Sequence, residues 1–352
     1  MTPSTARESK PKTRVLPKVS IVLVNWNRYD DIVFALSAIR QVDYPDVEVI
    51  VVDNNSEDGS AEKLADVSDI SLVRLCRNCG PSEARNVGIQ SAEGKYVLLL
   101  DSDAVIARNT LKVLVERMEG EPDLGILGCR ILNWNSRRID QWVYAQPYAT
   151  HGNRPFDTYS FSAAGALIRA DVVRQVGGFW ERLFIYNEEV DLALRVLRAG
   201  YRVAYEPDAH VLHRPSSNGR VNNANYFYYQ IRNWIWIFFR HYPFFARWKK
   251  IAMYSALYLV KGTLNRHPLA AIKGVLAGLL GIDAVSEFPK KMTYAEARRI
   301  DDLNRRKHVR VSLLRTGATS EPFKDIDVDH PAATPVAAEP AVRKLAEPAE
   351  TD

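Results

Sequence analysis

The sequence predicts an α/β fold with a doubly wound, mostly parallel sheet and a C-terminal helical extension. Three observations carry that expectation. Short apolar strand runs alternate with helical patterns four times within about 90 residues, from Val19 to Asp103. Each strand run ends in a loop rich in Asp, Asn, Ser or Arg, the layout of a parallel sheet whose strand ends gather ligand groups. Beyond residue 225 the pattern changes to aromatic and basic residues at helical spacing.

Val19 to Val24 reads as the first strand, with Asn25-Trp26-Asn27 as its outgoing loop. Residues 30–41 carry Ile32, Ala35, Leu36 and Ile39 at helical spacing, behind Asp30 and Asp31, which suit a helix N-terminus. Val47 to Val52 is the second strand, and Asp53 to Ser60 forms a polar turn that caps the next helix. Ile70 to Leu75 is the third strand, and Ser82 to Ser91 the helix after it. Val97 to Leu100 is the fourth, a continuous apolar run expected of a strand buried on both faces. It runs directly into Asp101-Ser102-Asp103. Two carboxylates separated by one small residue suit a hard divalent cation such as Mg²⁺ or Mn²⁺, which commonly bridges to substrate phosphates. The loop after the first strand has neither Gly-x-Gly-x-x-Gly nor a P-loop, so a dinucleotide fingerprint and a Walker site are excluded there.

A helix and a strand (Leu124 to Cys129) are expected between 105 and 130. Residues 133–160 read as irregular and aromatic, either covering a site or packing on the surface. Phe161 to Ile168 reads as a strand with a small-residue centre, and Ala170 to Val176 as a helical turn ended by Gly177-Gly178. Val190, Leu194 and Leu197 place a helix over 188–199, stopped by Gly200, with Glu188 and Glu189 in its first turn. Tyr201 to Tyr205 is another strand, followed by His210 and His213, a spacing that can supply metal ligands.

The 352 residues carry a net charge of +5 that is unevenly spread. Three cysteines in a chain of this length make no disulfide framework, which suits a reducing cytoplasm. Cys76 and Cys79 have no second pair nearby, so zinc is not expected. Residues 1–17 are polar and basic without an apolar segment, and read as a disordered start rather than a signal peptide. No uninterrupted apolar run reaches the roughly 18–20 residues of a transmembrane helix.

Taken together, the motifs resemble a family 2 glycosyltransferase of the GT-A fold, nearest to its rhamnosyltransferase-like branch. They are Ser20 to Asn27, Val51 to Ser60, Leu99 to Asp103, Gly177-Gly178-Phe179, Glu188 to Arg195, and His213, in that order. The resemblance spans roughly residues 18–245, about two thirds of the chain. It implies a donor site made by Val24, Asn25, Asn27, Asp53, Asn55, Arg85, Asp101 and Ser102, with Asp53 reading the pyrimidine base and Arg85 near the diphosphate. It implies a Mg²⁺ or Mn²⁺ site at Asp101, Asp103 and His213. Glu189 falls where the family has the catalytic Asp of a Glu-Asp pair; Glu188 and Asp191 are the alternative bases. Trp180 and Glu188 are candidates for acceptor contact. The implied function is an inverting, metal-dependent transfer from a dTDP-, UDP- or GDP-linked sugar to a glycan or lipid-linked acceptor in surface polysaccharide synthesis. An inactive scaffold and a sugar-nucleotide pyrophosphorylase are the rival readings.

Within this scheme residues 18–224 form the catalytic domain, 225–315 a helical extension and 316–352 a disordered tail rich in Ala, Pro, Glu and Thr. From 226 to 310 there are sixteen Lys or Arg against five Asp or Glu. Basic, aromatic, amphipathic helices suit a membrane surface, here the inner face of the cell membrane; packing on the catalytic domain or a homodimer is the other use. No motif supports nucleic-acid binding.

Overall fold

The computed structural model describes residues 16–214, 223–285 and 290–303, with residues 323, 326 and 327. Of the disorder expected over 1–17 and 316–352, all but residues 16, 17, 323, 326 and 327 lies outside the described residues, as does the 304–315 end of the expected helical extension.

Among the described residues ten strands form one sheet: β1 (Val19–Asn25), β2 (Val47–Asp53), β3 (Ser71–Arg74), β4 (Tyr96–Leu100), β5 (Ala104–Ile106), β6 (Leu124–Asn133), β7 (Ile139–Gln141), β8 (Phe156–Asp157), β9 (Gly165–Arg169) and β10 (Arg202–His213). The helices are α1 (Tyr29–Ile39), α2 (Ser60–Ala65), α3 (Gly80–Ser91), α4 (Thr110–Gly120), α5 (Tyr148–His151), α6 (Ala170–Gln175) and α7 (Glu188–Arg198). They continue as α8 (Asn223–His241), α9 (Phe244–Leu264), α10 (Pro268–Leu280) and α11 (Tyr294–Leu303).

The strand order is β3-β2-β1-β4-β9-β6-β10-β5, with β7 beside β6 and β8 beside β10. The first four strands in that order are parallel, as are β6 and β10. β9 runs antiparallel between β4 and β6. Strand β4 lies at the centre and shows why its run is apolar throughout. Leu98 and Leu100 enter one core with Ile32 and Leu36 of α1 and Leu111 and Leu114 of α4. Val97 and Leu99 enter the other, with Ala84 and Ile89 of α3 and Leu192 and Val196 of α7. Burial on both faces removes the usual alternation.

Three local expectations are corrected. Residues 104–106 form a strand, not the start of a helix; β5 pairs antiparallel with β10, opposing Ala104 to His213. The strand predicted over Tyr201–Tyr205 continues to His213, with an irregularity between Glu206 and His210. Both histidines therefore lie on a strand. The strand expected from Phe161 begins only at Gly165. The irregular stretch 133–160 contains β7, α5 and β8, and its aromatic residues form a cluster in which Trp142 meets Tyr144, Tyr148 and Tyr205 edge-on.

Helices α8–α11 share a third hydrophobic core with α7. Val190 and Leu194 of α7, with Leu183, enter it with Phe227, Ile231, Ile235 and Phe238 of α8. The extension is thereby joined to the helix that carries Glu188 and Glu189.

Candidate active site

The carboxyl ends of β1, β2 and β4 lie side by side, because Asn25 is in register with Asp53 and Leu23 with Leu100. At the first pair, Asn25 Nδ2 donates to Asp53 Oδ1 (2.7 Å), to Ser60 Oγ (2.7 Å) and to Ser56 Oγ (3.1 Å). Asp53 Oδ2 accepts from the backbone of Ser56 (3.1 Å). Asn27 locks the two loops together: its N–H reaches Ser56 Oγ, and its Oδ1 accepts from Glu57. Asn27 and Asn55 both sit at positive φ, which Asn tolerates better than most residues. Half-buried Val24 completes this corner.

Beyond β4, three potential metal ligands converge. Ligand atoms of Asp101, Asp103 and His213 lie within 4.8 Å of one another. The β5–β10 pairing sets this up, since Asp103 precedes Ala104 and Ala104 opposes His213. His213 Nε2 is 3.1 Å from Asp103 Oδ1, and its Nδ1 is 2.8 Å from Asp140 Oδ2. A carboxylate behind the imidazole fixes the ring and raises its basicity. Burial opposes the His213 charge, but Asp103 and Asp140 outweigh it and push the imidazole up to about 10. Burial likewise disfavours the Asp103 anion; His213 and Arg28 outweigh it and hold the carboxyl well below the usual range. Arg28 Nη1 reaches Asp103 Oδ2 at 2.8 Å and Ser102 Oγ at 3.4 Å. Two carboxylates and an oriented imidazole are a donor set that fits Mn²⁺ or Mg²⁺. His210 stays outside this group: burial lowers its pKa to about 4, and it lies against Phe323.

Arg85, on α3, connects this group to the glutamates. Its Nη2 donates to Asp101 Oδ1 (2.9 Å) and its Nη1 to Glu188 Oε1 (3.1 Å). Glu188 is buried, and its Oε2 has no hydrogen-bond partner among the described residues. Burial, then the neighbouring Glu189, raises the Glu188 carboxyl despite Arg85. Half-buried Glu189 is raised as well, chiefly by burial.

The segment before these glutamates is strained and clamped. Phe184, Tyr186 and Asn187 have positive φ. The buried Asn233 side chain donates to the carbonyls of Leu183 (3.1 Å), Ile185 (2.8 Å) and Tyr186 (2.7 Å). Asn187 Nδ2 is held by Gln230 Oε1 at 3.0 Å.

Asp191 is not brought into the acid cluster. It is fully buried and pairs with Arg195 (2.7 Å), His241 (2.8 Å) and Arg240 (3.3 Å). Burial disfavours its charge, but those partners hold the carboxyl far below its usual value. Arg195 in turn donates to the carbonyls of Val176 and Gly178, bracing the turn before Phe179. Trp180 packs against α8, with the Arg240 guanidinium 4.0 Å over its ring and Trp236 beside it. Cys79 sits at the start of α3, its thiol donating to the Arg77 carbonyl.

Arg28, Asp140, Asn233 and Gln230 were not singled out from the sequence. An Asn beside Arg232, between Ile231 and Ile235 in a largely apolar helical run, was a readable signal of a buried hydrogen-bonding role. Nothing local marks Asp140.

This architecture is the GT-A fold of glycosyltransferases. Residues 20–177 match the family described as Glycosyl transferase family 2. Succinoglycan biosynthesis protein ExoO of Rhizobium meliloti (strain 1021) is 28% identical over 233 residues, 60% of this chain and 65% of that protein. Poly-beta-1,6-N-acetyl-D-glucosamine synthase of Staphylococcus aureus (strain MSSA476) is 28% identical over 216 residues, 56% of this chain and 50% of the synthase. The chain thus spans less than two thirds of either relative. Among solved structures, S. aureus TarS 1-349 in complex with UDP-GlcNAc aligns with a TM-score of 0.56 at 19% identity, over 81% of this chain and 83% of TarS 1-349. The mannosyltransferase PcManGT from Pyrobaculum calidifontis, in complex with GDP-Man and Mn²⁺, aligns with a TM-score of 0.50 at 21% identity, over 83% and 81%. At these identities the structural likeness is one of fold.

Proposed function

We propose that this chain is an inverting, metal-dependent glycosyltransferase. It moves a sugar from a nucleotide-diphosphate donor to a hydroxyl of a glycan or lipid-linked acceptor in cell-surface polysaccharide synthesis. One observation carries the reading: Arg85 ties Asp101 of the Asp101–Asp103–His213 group to Glu188 at the carboxyl end of the sheet.

The division of labour follows from the residue types. Val24, Asn25, Asn27, Asp53 and Asn55 border the base and ribose. Asp101, Asp103 and His213 would hold Mg²⁺ or Mn²⁺, which when bound neutralises charge on the leaving diphosphate. Ser102 lies between these acids, and Arg85 adds a fixed positive charge on the glutamate side. Glu189, the more exposed of the two raised glutamates, takes the proton from the attacking acceptor hydroxyl. Glu188, with an unsatisfied buried oxygen, is the second candidate for that role. A single base without a covalent nucleophile gives inversion. The solved neighbours with UDP-GlcNAc and with GDP-Man support a UDP- or GDP-linked donor; dTDP-rhamnose is the donor that the branch resemblance implies. The basic extension supports work at the cytoplasmic face of a membrane.

Replacing Glu189 with Gln tests the assignment. Transfer is expected to fall by about a hundredfold to ten-thousandfold while metal-dependent nucleotide binding persists. Near-normal turnover by that variant would remove Glu189 from the mechanism.

A further inference from the structure

Helices α9 and α10 turn their small residues inward and their large apolar residues outward. On α10, a Cβ added to Gly274 would lie 2.5 Å from Ile231 Cγ2, and one on Gly278 would lie 2.7 Å from Ile235 Cδ1. The backbone of α10 therefore lies close on α8. Ala271 meets Gly262 of α9 in the same way. The opposite face of α10 carries Leu269, Ile272, Leu276, Leu279 and Leu280, with Leu269 71%, Leu276 53% and Leu280 82% exposed. On α9, Phe245, Trp248, Met253, Val260 and Leu264 are exposed at helical spacing too. A helix facing water ordinarily shows the reverse pattern, and outward apolar stripes of this extent mark an interaction surface.

Charge identifies the partner. The sequence has no Asp or Glu from residue 209 to 282, while residues 223–282 contain eight Lys or Arg. Lys249, Arg266 and Lys273 are exposed on the same two helices and their turn. Where that turn meets the start of α8, a cavity of about 550 Å³ is lined by Asn225, Tyr228, Arg266, His267 and Lys273, among others. Leu264 and Leu269 flank the turn.

We propose that the α9–α10 hairpin docks onto an anionic lipid bilayer. The outward leucines and aromatics enter the acyl boundary, and the cavity at the turn receives a phospholipid headgroup phosphate between Arg266 and Lys273. The inference rests on the peripheral-membrane reading given above and names the surface that makes it. A bilayer supplies what both features of the surface lack: an apolar layer for the leucines and negative charge for the acid-free basic segment. A second copy of the chain would bring a second acid-free basic face against the first, and the like charges would repel. The contact is superficial, because no helix among the described residues is long and apolar enough to cross a membrane.

The test is flotation of the full chain with vesicles of phosphatidylcholine alone and of phosphatidylcholine mixed with phosphatidylglycerol. A nucleotide–Mn²⁺ thermal shift on the same preparation reports the donor site separately. Wild type is expected to float with the anionic vesicles and weakly with neutral ones. R266E/K273E and L276S/L280S change exposed residues only; each is expected to reduce partitioning by at least about tenfold and to keep the thermal shift. Wild type that fails to float while showing the thermal shift overturns the docking surface and leaves the enzyme reading intact. So do variants that partition like wild type. A wild-type dimer that L276S/L280S splits, without vesicle binding, assigns the face to a second copy and also overturns it. Flotation that depends on both pairs, with no thermal shift, upholds the surface and removes the donor site instead.

Discussion

Arg85 Nη2 lies 2.9 Å from Asp101 Oδ1, so a residue of α3 holds the acid that follows β4. The same guanidinium meets Glu188 through its other terminal nitrogen. Lysine carries one compact charge and cannot serve both carboxylates in the fixed geometry of a guanidinium fork. Arg85→Lys is expected to lower transfer about a hundredfold or more, with circular dichroism unchanged. Full activity in that variant would show that the bridge has no part in the reaction.

The raised glutamates set a pH dependence. A base must be ionised to act, so kcat/KM is expected to climb with pH and to bend above the ordinary Glu value of 4.5. Stability moves the other way. The folded chain keeps protons that the unfolded chain has released, so this contribution is fully present below the ordinary Glu value and is lost as pH rises through the raised ones. Glu188→Gln is expected to flatten that decline in urea unfolding measured across pH. Glu189→Gln is expected to cost about a hundredfold to ten-thousandfold in rate.

Asp140 Oδ2 lies 2.8 Å from His213 Nδ1, so under the proposed metal reading it supports a ligand rather than being one. Removing such a support typically weakens metal affinity by about 10–100-fold. Calorimetric titration with Mn²⁺ is expected to show that loss for Asp140→Asn and a larger one for His213→Ala. Unchanged affinity in both would place the ion elsewhere.

Asp191 is an anchor. Asp191→Ala leaves Arg195, Arg240 and His241 buried without their carboxylate, and destabilisation of about 3–5 kcal/mol is expected. Because its folded pKa is depressed, the wild-type contribution is present above the unfolded carboxylate pKa and fades as pH falls through the folded one. Turnover per folded molecule should persist. Lost turnover at unchanged melting temperature would make Asp191 a base instead.

Asn233 positions the segment that delivers the glutamates. Asn233→Leu keeps the volume but takes the amide donor from the carbonyls of Ile185 and Tyr186, while the Leu183 carbonyl keeps Arg232 Nη2 at 2.8 Å; unmet groups of this kind cost about 1–3 kcal/mol each. The expected signature is a lower kcat with a displaced pH inflection and little change in donor binding. A uniform loss of stability with an unmoved pH profile would reduce Asn233 to packing.

The alternation from Val19 to Asp103 was readable because each parallel strand is a local apolar run with a polar end. Asp101, Asp103, Glu188 and Glu189 were readable for the same reason, since each sits where an element begins or ends. The partners that orient them were not. Asp140 meets His213 across 73 positions, and Arg85 meets Glu188 across 103. Pairing of that kind depends on register between distant strands, which local periodicity does not encode. The three-residue β5 is too short to show alternation, yet it is what sets Asp103 beside His213.

The central claim, a metal-assembled nucleotide-sugar site at the strand ends, is tested most directly by thermal shift with UDP, dTDP and GDP, each with and without Mn²⁺ or Mg²⁺. A ligand that binds only the folded state raises stability by mass action, by about 2.7 kcal/mol at a hundred times its Kd. The account predicts a rise with one nucleotide that requires the metal and disappears in Asp103→Asn. Folded wild-type protein that shows no rise with any pair, or a rise that Asp103→Asn retains in full, would contradict it.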